Sequence, residues 1–191
     1  MNTTTRHRVA QLLDVSRILG ILVVFTLPAL GQTATLQYFG VTCGEAPPFG
    51  SPRIWVGAAP RLGTDIAVAA MDMHGVDIRN YCMFQGSAHL VLGVSRSASG
   101  GIQLPFLVPF GLTRGHTCFV LVSNELVLSL WSLNNASPGA SILMGIPSDP
   151  ALAGVKLYAQ WWISYSTSGP SCPIYMSGWV TSNAVELTLG Y

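Results

Sequence analysis

VKLYAQWWISYS, residues 155–166, sets two tryptophans side by side in a stretch that alternates. Successive side chains of a strand point to opposite faces. As a strand, this segment therefore puts Leu157, Ala159, Trp161, Ile163 and Tyr165 on one side, and Tyr158, Gln160, Trp162, Ser164 and Ser166 on the other. The first set reads as a core face with Trp161 inside. The second makes Trp162, Tyr158 and Gln160 the candidate contact for a ligand or a second subunit, unless another part of the chain, such as 43–63, lies over them.

Working outward, turn signals recur along the chain and the pieces between them alternate or run apolar, the pattern of a sandwich or barrel of short strands. Strands are predicted near 34–42, 66–73, 88–95, 118–122, 127–133, 141–146, 155–165 and 185–189. Gly- and Pro-rich connections such as GEAPPFGSPR, SRSASGG and NNASPGAS join them. Helix is scarce: DPALAG at 149–154 reads as one turn, capped by Asp149, with Pro150 first and Gly154 closing it. With no linker and no clean repeat, the expectation is one all-β domain, a jelly-roll-like sandwich over 32–191, with Trp131 inside beside Trp161.

Charged residues are 9% of the chain and the net charge is +1, against a usual charged fraction of about 25%. Without a Lys/Arg cluster this is no nucleic-acid binder, and the apolar content is too high for disorder. At the N-terminus, Arg6, Arg8 and Arg17 precede an apolar run at 18–30, and Ala29 and Gly31 suit cleavage before Gln32. Residues 1–31 therefore read as a signal peptide. The run holds Pro28 and falls short of the roughly 20 residues a membrane span needs, so no span is expected after processing. Removing three Arg and Asp14 leaves six basic and seven acidic residues. The expected location is secreted, extracellular or at a cell surface.

Cys43, Cys82, Cys118 and Cys172 all follow that cut, and none has zinc-ligand spacing. An even count in an exported chain favours two disulfides. Of three pairings, Cys43 with Cys118 and Cys82 with Cys172 is preferred, because each ties segments distant in sequence. Four buried free thiols are the alternative.

Short motifs recur in a definite order: Gly40 and Cys43 in FGVTCGEAPPFGSPRI, Leu90 to Ser95 in AHLVLGVS, Leu104 and Pro105 in IQLPF, Gly115 to Ser123 in GHTCFVLVSN, Ile146 and Pro147, Gly154 and Gln160, and Ser182 and Asn183 in SNAVELTLG. In this order the chain resembles an uncharacterised secreted domain found at the ends of large exported proteins of planctomycete-like and myxobacterial-like bacteria. The resemblance spans nearly all of 32–191 and implies a β-sandwich with no known activity or catalytic residue. Cys82 and Cys172 are an extra pair relative to that pattern.

Catalysis needs convergent ionisable groups, and few are available. MDMHGVD offers Asp72, His74 and Asp77, where a strand followed by a turn at Gly75 would gather two carboxylates and an imidazole as a metal site. A polar hairpin tip explains the same residues. His89, inside AHLVLG, reads as a hydrogen-bonded or half-exposed sheet histidine, and His116 as a loop residue. No G-x-S-x-G, HExxH or phosphate-binding glycine loop is present. The sequence therefore points to a non-catalytic extracellular structural or assembly module without a cofactor. Its expected partner is itself or another extracellular protein. The alternative is a carbohydrate-binding module that presents Trp162 and Tyr158 to a polysaccharide.

Overall fold

The computed structural model describes residues 31–43, 52–72, 83–108, 118–134, 139–168 and 177–191. Their regular structure is almost entirely strand, in antiparallel sheets. The chain is all-β.

Among the described residues twelve strands follow in order: β1 Thr35–Phe39, β2 Arg53–Val56, β3 Asp65–Met71, β4 Met83–Gly93, β5 Ala98–Ser99, β6 Ile102–Gln103, β7 Phe106–Val108, β8 Cys118–Val120, β9 Leu126–Asn134, β10 Ala140–Gly145, β11 Lys156–Ser168 and β12 Ser177–Thr188. β11, which contains the opening stretch, is the centre of a five-stranded sheet ordered β1-β12-β11-β4-β9. β10, β3 and β2 form a second sheet, and β5-β6 and β7-β8 are two small pairs.

The alternation of β11 is realised as read: Ala159, Trp161, Ile163 and Tyr165 are buried. They join Leu90 of β4 and Leu187 of β12 in one cluster with Ile54 and Val56 of β2, Ile66 and Val68 of β3 and Ala140 of β10. The two larger sheets thus share one core. Trp161 is fully buried within it, and its Nε1 has no hydrogen-bond partner among the described residues. The ring therefore stabilises by packing, against a penalty of about 1–3 kcal/mol for the unmatched N–H.

Two strands start well before the expected positions. β4 begins at Met83 and β12 at Ser177 because their first halves, rich in small and polar residues, pair with β11 through Ser166↔Gln85 and Ser166↔Ser177. The ladder supplies there what the apolar pattern does not. β2 was not expected; it follows the Pro-rich connection, and its outer N–H groups are taken by side chains, Ile54 N by Asn183 Oδ1 at 3.0 Å and Val56 N by the Tyr38 hydroxyl at 3.2 Å. Those two caps blunt a sheet edge that would otherwise offer unpaired donors. The glycines of SRSASGG form a two-residue hairpin turn between β5 and β6, with φ of 54° at Gly100 and 85° at Gly101, the left-handed geometry such turns require.

DPALAG forms one 3-10 turn, Pro150–Leu152, with Asp149 Oδ1 accepting from Ala151 N at 2.9 Å and Gly154 at φ 82°. Cys43 is bonded to Cys118. Cys82, Cys172 and the side chain of Trp131 lie outside what is described, as do residues 1–30, where the signal peptide is expected.

Candidate functional site

The far face of the five-stranded sheet is where the sequence places its candidate contact. Tyr158 and Gln160 are buried there, packed with Val91, Leu121, Val122 and Ala184, and Phe39, Phe119 and Trp162 border the cluster. The expectation of an open face is corrected for Tyr158 and Gln160, which are buried, while Trp162 is half-buried. Among the described residues the cover is β8 with residues 121–123; residues 44–51 of the 43–63 segment lie outside them.

Gln160 holds that cover in place. Its amide nitrogen donates to Phe119 O at 2.9 Å and Ser182 O at 2.8 Å, while its oxygen accepts from Leu121 N at 3.0 Å and Trp162 Nε1 at 3.2 Å. All of the amide's hydrogen-bonding capacity is engaged. Because Leu121 N bonds to Gln160 and not to a strand, β8 ends at Val120, short of the expected 122.

The same residue repairs a break in the ladder. Between Gln160 and Trp162 the register shifts, their partners being Ala184 and Thr181, so Ser182 and Asn183 bulge opposite Trp161. Bulges leave backbone groups unpaired. Here Ser182 Oγ accepts from Trp161 N at 2.9 Å and Gln160 takes Ser182 O, while Asn183 reaches across to β2. The far end of the cover is fixed by Ser123, whose Oγ accepts from Val94 N and Ser95 N and donates to Glu125 Oε2 at 2.6 Å. Gly93 makes the crossing possible, since a Cβ there would collide with the backbone and side chain of Ser123. Gly93, Ser123, Gln160, Ser182 and Asn183 all belong to the motifs quoted above; the first four act in closing this face, and Asn183 caps β2 of the other sheet.

Asp72 follows the end of β3 at φ 58°, with Oδ2 3.6 Å from Arg53 Nε. Both side chains are well exposed, so the pair contributes little, about 0–1 kcal/mol. His74 and Asp77 lie outside the described residues, and among the described residues no three His, Cys, Asp or Glu gather as a metal site would need. Glu186, a buried carboxylate, already has partners: Lys156 Nζ at 2.6 Å and Arg96 at 3.7 Å, the latter with its guanidinium over Phe39. The hydrogen bond to Glu186 raises the Lys156 pKa above its ordinary value.

Beyond the cover, the same sheet face carries a different constellation. Register aligns Trp179, Ser164 and Ser87 in one row and Trp162, His89 and Ser129 in the next. His89 Nε2 is 2.9 Å from Ser87 Oγ, His89 Nδ1 is 2.8 Å from Ser129 Oγ, and Ser87 Oγ is 2.7 Å from Ser164 Oγ. The Trp179 indole lies 5.5 Å from the imidazole, tilted by 32°. His89 is a half-buried, hydrogen-bonded sheet histidine, as its alternation suggested. Burial lowers its pKa from the ordinary histidine value, which favours the uncharged ring that donates from one nitrogen and accepts at the other.

Comparison with protein-family models, curated proteins and solved structures finds no match to this chain. Its function is therefore argued from these side chains alone.

The hydroxyl–imidazole chain was missed because no single stretch contains it: Ser87 and Ser164 are 77 residues apart, His89 and Ser129 40. The available signal was the alternation of GSAHLVLG, which places Ser87 and His89 on one side. The histidine has a testable consequence. A folded pKa below the unfolded value means that the unfolded chain binds more protons, so stability is complete above about pH 6.5 and declines as pH falls from there to the lowered folded pKa. The difference in urea midpoint between the native chain and His89→Gln is expected to change across that window and to be constant above it. A difference independent of pH would exclude this linkage.

Proposed function

We propose that the chain is an exported, non-catalytic module of two-layer sandwich form that works by assembling with further copies of itself in an extracellular setting. The observation that carries this reading is the outer face of the β10-β3-β2 sheet. Trp55 is 46% exposed, Met71 48% and Leu143 70%, and register brings Trp55 beside Ala69 and Leu143 beside Ala67. Arg53 and Asp65, at the ends of β2 and β3, are the only charges these three strands contain. A broad apolar sheet face favours burial against a partner, and obligate subunit interfaces resemble a core cut in half. A second copy supplies the same largely apolar surface by two-fold symmetry, with Arg53 and Asp65 at its margins.

Export is supported by the layout of residues 1–31 and by the Cys43–Cys118 bond, since disulfides persist in oxidising compartments. Binding is favoured over catalysis by the setting of Ser87. Its strand is paired on both sides, which engages the backbone donors an oxyanion would need, and the third member of the chain is an uncharged hydroxyl. Light scattering on the exported protein is expected to give a discrete oligomer, and Leu143→Asp a monomer with unchanged circular dichroism. A native protein that stays monomeric at high concentration would refute the assembly.

A further inference from the structure

We propose that the open part of the five-stranded sheet's far face, where Trp179 borders Ser164, Ser87, His89 and Ser129, is a binding site for a neutral polysaccharide. Four observations carry it. Trp179 is 42% exposed although its ring already contacts His89, so part of a large apolar surface is left open to solvent. Aromatic faces of this kind pack against the C–H faces of pyranose rings while their edges stay among polar groups.

Beside the indole stands a row of hydroxyls and one imidazole, linked at 2.7, 2.8 and 2.9 Å. These groups donate and accept interchangeably, which suits a ligand whose own edges are hydroxyls. None of the described contacts in this patch is charged, and burial lowers the imidazole pKa, which favours its uncharged form. The patch therefore offers an ion no fixed counter-charge and suits an uncharged ligand. Finally, Trp179, Ser164 and Ser87 come from three adjacent strands, about 4.8 Å apart. The indole on β12 reaches the imidazole on β4 across β11, so the aromatic face and the hydroxyls lie side by side along a line that crosses the strands, the direction in which the glycan would run.

The site is distinct from the apolar outer face of the other sheet and stands whether or not the chain assembles there. Native affinity electrophoresis tests it, with the exported protein run through gels containing hydroxyethylcellulose, a neutral extended glucan, or alginate, a polyanion. Retardation by hydroxyethylcellulose and not by alginate is expected, weakened about tenfold or more in Trp179→Ala with its melting temperature unchanged. Ser129→Ala, at an exposed position on β9, is expected to weaken retardation without altering the fold, and it decides the matter if Trp179→Ala does not fold. No retardation by hydroxyethylcellulose, retardation by alginate alone, or equal retardation of native protein and variants would each overturn the proposal. So would a Trp179→Ala protein that changes its oligomeric mass and leaves glycan retardation intact, which would assign the indole to a subunit contact.

Discussion

Gln160→Ala is expected to lower the unfolding free energy by about 3–5 kcal/mol, a large share of the 5–15 kcal/mol typical of a domain. The side chain is fully buried and makes four hydrogen bonds. Phe119 O would keep Thr181 Oγ1 as a donor at 3.1 Å. Leu121 N and Ser182 O would lose the partner that Gln160 gives them, and each such buried group costs about 1–3 kcal/mol. The void left by the truncated side chain adds to the cost, and water reaching the half-buried Trp162 Nε1 offsets part of it.

Gln160→Leu separates these contributions, since it fills the volume and still removes every hydrogen bond. It is expected to recover the smaller part of the loss. Gln160→Glu keeps the shape but aims an ionised acceptor at Phe119 O and Ser182 O, both acceptors themselves, and should be no more stable than the alanine variant. Urea unfolding measures all three. Release of the cover would also expose Val91, Tyr158 and Ala184, which dye binding to apolar surface detects. A loss below about 1 kcal/mol for Gln160→Ala would mean that packing alone holds residues 118–123 on the sheet.

The second large effect belongs to the disulfide. Cys43 and Cys118 are separated by 75 residues, and the chain-entropy relation for a loop of that size gives about 4 kcal/mol from restricting the unfolded chain. The folded side is equally specific. Cys43 N donates to Thr181 O at 3.0 Å and Cys43 Sγ accepts from Thr181 N at 2.9 Å, so the bond ties β8 to the start of the bulge that Gln160 serves. The Cys43→Ala/Cys118→Ala double variant is expected to lose about 4 kcal/mol in urea under non-reducing conditions. Peptide masses before and after reduction of the native chain should show Cys43 joined to Cys118. A loss under about 1 kcal/mol would show that the unfolded chain is already compact around this loop.

The alternation of VKLYAQWWISYS was enough to place Trp161 in the core and to set Trp162 on the opposite side, because strand period is a local property of the backbone. The turn chemistry of DPALAG was legible for a similar reason: it rests on residues that need no knowledge of neighbours. Alternation states which way a side chain points, but not what it meets. The cover over Tyr158 and Gln160 comes from residues 118–123, about 40 positions away, and only the tertiary structure brings it there. Ser182 and Asn183 stood out as a motif, yet that they form a bulge, and that they satisfy Trp161 N and Ile54 N, depends on pairing with β11 and β2. The Ser87–His89–Ser129–Ser164 chain is more dependent still, being assembled by the register of β4, β9 and β11. Local sequence determined faces and turns, and long-range pairing decided neighbours, because hydrogen bonds form between side chains that the fold brings within 3 Å and sequence distance does not enter that geometry.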